Sequence, residues 1–535
     1  MLIRTLSTLA QLLSLWLVLA LPAQALTPKQ ALAIAAGEAD DRIAALNQAV
    51  TDGDAELAAF VQALLDDAVK VTASAAFIVR DGNTLNADGK TEATLPAEAE
   101  DVVNNNRLRG ALEAAMGGLK LVSPDATVRR AALVELAKQS LSEAQLPLID
   151  KAYGIETDAK MKMQLERLRA TILISASDRS KRLEAAQSLA NSSQGAVKSL
   201  LQERLVPASQ GGETDPEVRA ALMKSLSAVD GHLAWGERLG VVFTGVSLGS
   251  ILLLVALGLA ITYGLMGVIN MAHGELMMIG AYATWLVQNA FRQHLPALFD
   301  WYIVIAIPAA FLAAALVGAV LERTVIRWLY GRPLETLLAT WGISLVLMQG
   351  VRSLFGAQNV QVENPSWLSG GVVALDNLTL PYNRLAIIVF AAIVLVGVAL
   401  LIARTRLGLF VRGVTQNRRM AACMGVNTAR IDTYAFSLGA GIAGLAGCAL
   451  SQVGNVGPDL GQSYIVDAFM VVVTGGVGQL AGTVYAGLGL GVLNKFLEGY
   501  AGAVLAKIMV LVCIVVFIQK RPQGLFAMKG RSAEA

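Results

Sequence analysis

The polar and apolar positions divide this chain into two regions of different character. From about residue 27 to 238 charged side chains recur every few positions, and the residues between them favour helices: Ala, Leu, Glu, Lys, Gln and Arg. From Leu239 to Gly274 no Asp, Glu, Lys or Arg occurs at all. A bilayer crossing needs about 20 apolar residues, so this stretch holds one full span and the start of another. Nine apolar segments follow by the same reading, near 239–262, 264–290, 302–321, 336–351, 385–403, 431–453, 465–479, 482–494 and 503–519. The fourth, seventh and eighth are short for full spans, which predicts tilted, broken or re-entrant segments. The expected fold is therefore all-α: a polytopic membrane protein of eight or nine transmembrane helices behind a mainly helical exported domain. The predicted divisions are a signal peptide at 1–25, a periplasmic domain at 26–235 and a membrane domain at 236–535.

The signal peptide reading rests on Arg4, an apolar run from Leu12 to Leu21, and the small-x-small pattern Ala23-Gln24-Ala25. In the exported region Phe77-Ile78-Val79-Arg80-Asp81-Gly82 predicts a small β-hairpin. The phrases Val128-Arg129-Arg130-Ala131-Ala132-Leu133, Lys181-Arg182-Leu183-Glu184-Ala185-Ala186 and Val218-Arg219-Ala220-Ala221-Leu222 recur. They fit degenerate HEAT-type helical pairs or an ordinary Ala-rich bundle. Asp88-Gly89-Lys90-Thr91 ends like a phosphate-binding loop, but Thr84 stands where its first glycine belongs, and a turn is expected instead.

Composition agrees with the membrane reading: 55% of the 535 residues are hydrophobic and only 16% charged, against roughly 25% charged in a soluble protein. A net charge of +2 gives no footprint for nucleic acid. Cys423, Cys448 and Cys513 have no metal-site spacing. Basic residues cluster in alternate loops, with Arg323, Arg327 and Arg332 in one, six arginines from Arg404 to Arg430 in another, and Lys520, Arg521, Lys529 and Arg531 after the last span. The signal peptide puts residues 26–235 outside the cytoplasm, an odd number of spans brings the carboxyl terminus back inside, and the positive-inside rule agrees; a bacterial inner membrane is the expected location.

Candidate chemistry is sparse. Asn270, His273 and Glu275, bracketed by Gly267 and Gly274, lie either along a solute path or in an interfacial turn. Thr340, Gln349, Gln452, Asn455, Thr474 and Gln479 add neutral hydrogen-bonding groups that suit a small polar solute, and Asp467 is expected to be solvated near a helix end. His273 lacks the second histidine of a zinc-protease helix, and no nucleophile stands beside it, so an enzyme is not expected. Residues 404–430 are too polar to span and too patterned for a slack linker; a short basic helix there would lie on membrane lipid or dock into a partner.

This last segment resembles the coupling loop of ABC-importer permeases of the LivH-like, branched-chain amino acid family. Gly264-Leu265-Met266-Gly267-Val268-Ile269-Asn270-Met271-Ala272-His273-Gly274-Glu275, Thr336-Leu337-Leu338-Ala339-Thr340-Trp341-Gly342 and Arg521-Pro522-Gln523-Gly524-Leu525-Phe526 carry the same resemblance, over roughly residues 239 to 528. Tyr330-Gly331-Arg332-Pro333-Leu334-Glu335-Thr336, Phe355-Gly356-Ala357-Gln358-Asn359, Asn364-Pro365-Ser366-Trp367-Leu368-Ser369-Gly370-Gly371 and Val414-Thr415-Gln416-Asn417-Arg418-Arg419-Met420 look like its urea-transporter (UrtB-like) branch. The resemblance implies a permease subunit that binds no cofactor itself. ATP and Mg would act on two ATP-binding cassette subunits, beside a second related permease and a periplasmic solute-binding protein. It implies a path through Asn270, His273, Glu275 and Thr340, and coupling to the ATP-binding subunits through Arg412, Thr415, Gln416, Asn417, Arg418, Arg419, Ala421, Ala422 and Gly425. Urea is the solute so implied; a branched-chain amino acid permease and a stand-alone secondary transporter or channel are the alternatives. Met420-Ala421-Ala422 departs from the Glu-Ala-Ala common in importer permeases, so docking would rest on other contacts.

Overall fold

The computed structural model describes residues 26–52, 55–80, 83–137, 145–267 and 269–526. The predicted signal peptide lies outside them, as do the Asp81-Gly82 turn and the basic residues Lys529 and Arg531. The described residues fall into two compact units that divide between Leu233 and Ala234.

In the first unit, α1 (Pro28–Ala35), α2 (Ala39–Asp52) and α3 (Ala55–Leu65) lead into strands β1 (Val69–Val71), β2 (Ala76–Arg80), β3 (Asn83–Asn86) and β4 (Glu100–Asp101). The expected hairpin is there as β2–β3, but it belongs to a four-stranded antiparallel sheet of order β3-β2-β1-β4. Asp88 closes the following turn by accepting from the Lys90 and Thr91 amides, both at 3.0 Å. Helices α4 (Asn106–Leu121), α5 (Ala126–Leu136), α6 (Leu146–Ile155), α7 (Ala159–Leu173), α8 (Arg179–Leu189) and α9 (Gly195–Leu205) follow, and α10 (Pro216–Met266) carries the chain into the second unit.

The recurrent phrases have a structural cause. Asp125 and Asp178 cap α5 and α8, and four residues on Arg129 and Arg182 turn back. Arg129 donates to Glu156 at 2.9 and 3.3 Å and to the Ser123 and Pro124 carbonyls. Arg182 does the same with Glu213 and the Ala176 and Ser177 carbonyls. Each glutamate opens a Glu-Thr-Asp turn and accepts from the two amides that follow it. The Arg129 hydrogen bond is the main reason that the Glu156 carboxyl is pulled down to about 2.

The second unit contains α11 (His273–His294), α12 (Tyr302–Thr324), α13 (Pro333–Phe355), a hairpin of β5 (Gly371–Leu375) and β6 (Leu378–Pro381), and α14 (Tyr382–Arg404). After these come α15 (Arg406–Gln416), α16 (Arg418–Cys423), α17 (Thr428–Ser451), α18 (Leu460–Gly475), α19 (Leu480–Ala501) and α20 (Ala503–Lys520). Among the described residues, seven helices are long and apolar enough to cross a membrane: α10, α12, α13, α14, α17, α19 and α20. With α11 and α18 they account for all nine apolar segments. Two of the three segments expected to be short are full length: α13 has 23 residues and α19 has 22. Only α18 is short, at 16 residues, or about 24 Å against a hydrocarbon core of about 30 Å.

Helix α17 is the centre of this unit, buried at every residue from Gly439 to Ser451. Its glycines admit neighbouring backbones: a Cβ added at Gly280 of α11 would stand 2.2 Å from the Gly444 carbonyl oxygen. Lipid tails give apolar helices no reason to associate, so such close van der Waals contact is what holds them. By contrast α14 and α20 expose apolar faces, including Val389, Ile393, Val396, Ile508 and Val512, as lipid contact requires.

Candidate functional site: a helix break at mid-helix depth

Helix α10 stops at Met266 because Gly267 takes a positive φ of 66°, which an L side chain rarely adopts. The chain restarts as α11 at His273, so the predicted span 264–290 is two segments joined by a break. Thr340 holds the break, its hydroxyl accepting from the Met271 amide at 3.1 Å. Asn270 accepts from the Ala272 amide at 3.0 Å through its side-chain oxygen. His273 Nε2 lies 3.1 Å from the Val255 carbonyl. Val255 precedes the end of α10 by eleven residues, or about 16 Å. Glu275 accepts from the Ser344 hydroxyl at 3.0 Å, and Ser344 is the central residue of α13.

These contacts place the motif at mid-helix depth, where irregular backbone is tolerated only inside protein or along a cavity. All four predicted path residues come together there, and all four are buried. Asn270 Nδ2, His273 Nδ1 and Glu275 Oε2 find no protein partner, so the break keeps unspent hydrogen-bonding capacity of both signs. A second helix begins at the same place. Gly274 in the first turn of α11 meets Gly461 in the first turn of α18, and a Cβ at Gly274 would stand 2.3 Å from the Gly461 oxygen. Two helix starts thus meet beside Glu275, with their backbones in close contact.

A neutral polar cluster lies elsewhere in the unit. Tyr302 Oη is 2.8 Å from the Glu363 carbonyl and 3.1 Å from Gln452 Oε1. Asn383 donates to the Gln452 carbonyl, and Gln288 donates to that of Glu363. Beside it is a cavity of about 190 Å³ with walls of Ile303, Ile307, Ile387, Phe390 and Cys448.

The predicted coupling residues lie on α15 and α16, with Asn417 between the two helices and Gly425 just after the second. Thr405 caps the first by accepting from the Gly408 amide, and Asn417 caps the second by accepting from that of Met420. Arg412, Gln416, Asn417, Arg419, Ala422 and Gly425 are exposed, with Met420 and Met424 beside them. Thr415 is half-buried and bonded to the Val411 carbonyl; Ala421 packs inward against the cluster of Val411, Val414, Ile431 and Ala435. Arg418 is exposed as well, with 43% of its side chain accessible, and it pairs with Asp432 of α17. The expectation for Asp467 is corrected: its side chain is 13% exposed and pairs with Lys507 of α20 at 3.5 Å, so it is not solvated.

Sequence reasoning missed Ser344, Glu322, Tyr330, Asp432 and Lys507. An acidic residue at the end of an apolar run was the available signal for Glu322, and a lysine inside one was the signal for Lys507.

Residues 241–518 match the family described as the branched-chain amino acid transport system / permease component, over just more than half of the chain. The chain belongs to this family. The LivH-like resemblance therefore holds at the level of the ABC permease family, and the protein is a multi-pass membrane subunit. It is 28% identical over 287 residues to the high-affinity branched-chain amino acid permease BraD of Pseudomonas aeruginosa, covering 52% of this chain and 93% of that one. To LivH of Escherichia coli it is 28% identical over 290 residues, 53% of this chain and 93% of the relative. To LivM of the same organism it is 27% identical over 308 residues, 53% and 69% respectively. No solved structure matches. The family match falls within the second unit and includes the break, the coupling segment and α17.

Proposed function

We propose that this chain is the membrane-spanning subunit of an ATP-driven importer and passes a small polar nitrogenous solute at the α10–α11 break. The observation that carries this reading is the buried Asn270, His273 and Glu275 cluster at mid-helix depth, within the region that the permease family matches. On this reading ATP and Mg act on two ATP-binding cassette partners, a second related permease completes the path, and a solute-binding protein delivers the solute from outside. Residues 26–233 then lie on that outer face, as the distribution of arginines between loops supports.

The names of the relatives favour a branched-chain amino acid as solute. A second reading, urea, is favoured by the residues of the break: Asn270, His273, Glu275, Thr340 and Ser344 include no Lys or Arg to pair with a carboxylate, which suits an uncharged solute. Uptake of labelled leucine and labelled urea, each at low concentration, in a deletion strain and its complemented partner separates the two. Loss of leucine uptake alone supports the first reading, and loss of urea uptake alone supports the second. If neither changes on deletion, the importer reading fails for both solutes.

A further inference from the structure

The six-residue α16 is too short to hold its own shape in water, and most of its surface is exposed. What fixes it is Ala421 on one side and Arg418 on the other. The Arg418 guanidinium makes a two-pronged contact with the Asp432 carboxylate, with the Nη1 to Oδ1 distance at 3.3 Å. It also lies over the Tyr330 ring, 5.0 Å from its centre. Tyr330 donates to Glu322 at 3.1 Å, and the other Glu322 oxygen accepts from the Thr433 hydroxyl at 2.6 Å. Asp432 and Glu322 are almost fully buried. A continuous chain of polar contacts therefore runs from the start of α16 through the loop after α12 to α12 itself and to α17. Arg323, Arg327 and Arg430 line a surface pocket together with Glu322, Tyr330, Arg418 and Asp432.

The pair is buried at Asp432 but 43% exposed at Arg418; such a pair adds little to stability, and fixing one arrangement over another is the use that suits it. Arginine suits such a tie because its planar fork grips a carboxylate while its face rests on an aromatic ring. The far end of the tie matters as much. Helix α17 meets α10 through Gly439 and Gly258, and α11 through Gly444 and Gly280, so it touches both helices that flank the break.

We propose that Arg418 is a positioning residue, a strap through which movement of α15 and α16 reaches α12 and α17, rather than a contact made with a partner subunit. This rests on the permease reading above. The test uses the whole complex in proteoliposomes, with ATP-binding partners, second permease and solute-binding protein, and whichever of leucine or urea the wild type imports. Three quantities are read: assembly yield, basal ATP hydrolysis, and solute imported per ATP hydrolysed.

Arg418→Met/Asp432→Leu replaces the pair by apolar groups and restores a purely structural role. We expect it to assemble normally and keep basal hydrolysis within about twofold, while import per ATP falls at least tenfold. Arg418→Lys keeps the charge without the fork and is expected to lose at least threefold with assembly intact; it decides the matter if the double variant does not assemble. Wild-type import per ATP in either assembled variant overturns the proposal, as does loss of basal hydrolysis in step with import, which would mark Arg418 as a docking contact. A wild-type complex without ATP-dependent import would instead sink the permease reading.

Discussion

The contact between Gly274 and Gly461 gives a demanding test of the break, because one methyl group is enough to disturb it. A Cβ at Gly274 would stand 2.3 Å from the Gly461 oxygen, 2.8 Å from its carbonyl carbon and 3.1 Å from its Cα. Ordinary contact begins near 3.4 Å, and all three atoms belong to backbone, which cannot rotate away as a side chain could. Gly274→Ala therefore forces the starts of α11 and α18 apart by about 1 Å, a misfit of the kind that costs about 1–3 kcal/mol. The same movement shifts Glu275, whose free oxygen lies against Gly461, from its place beside Ser344. We expect a melting point a few degrees lower in detergent and at least a tenfold loss of solute uptake at equal expression. Gly342→Ala is the control, two residues from Ser344 on α13 with no atom within 4 Å of the added carbon. It removes a helix glycine at a stability gain of up to about 1 kcal/mol and should transport normally. If the two variants behave alike in melting and uptake, the helix starts are not packed as described and the site built on them falls.

Lys507→Met leaves the Asp467 carboxylate, 13% exposed, without its cation and should cost about 2 kcal/mol, below the figure for a fully buried pair because Lys507 is half exposed. Asp467→Asn/Lys507→Met should recover most of that loss, and single-variant losses that simply add would show that the two groups do not interact. In the first unit, the Glu156 carboxyl is held below its ordinary 4.5 at about 2, so its contribution is complete above about pH 4.5 and is lost as pH falls toward 2. Glu156→Gln should weaken that unit by about 1–2 kcal/mol at neutral pH and flatten the decline between pH 4.5 and 2, read by limited proteolysis of residues 26–233 in the full chain. Equal declines in both proteins would contradict the Arg129 pairing.

Hydropathy located every apolar helix of the membrane unit but misjudged the lengths of α13 and α19, and the reason is specific. Glu335 and Arg352 bound the apolar run 336–351, yet they lie in the first and last turns of α13, and Lys495, which ends the run 482–494, pairs with Glu498 inside α19. Charged residues near a helix end shorten an apolar run without shortening the helix. The cluster of Asn270, His273 and Glu275 was legible because ionisable groups in an apolar stretch are expensive. Its depth was not, since it depends on Ser344 and Val255, which are close only in the fold. The β5–β6 hairpin offered a local signal that went unread, as Val372 and Val373 precede Asp376-Asn377 at a turn. In the first unit the recurring Arg129 and Arg182 phrases were visible, whereas their partners Glu156 and Glu213 lie 27 and 31 residues away.

The membrane unit uses two kinds of contact to fix its helices, and they differ in what they permit. Glycine contacts such as Gly280 with Gly444 set how near two helices lie, and they hold only where glycine stands, because Ala443 and Leu445 on either side carry a Cβ. Polar ties such as Glu275 with Ser344, Asp467 with Lys507 and Arg418 with Asp432 join particular atoms and so fix register. Helix α17 carries both: Asp432 and Thr433 in its second turn, and Gly439, Gly444 and Gly447 against α10, α12 and α11. A pull applied through Arg418 would act on the same helix whose glycines pack against α10, α12 and α11. On the permease reading, that shared helix is the route by which the coupling segment would alter the surroundings of Glu275.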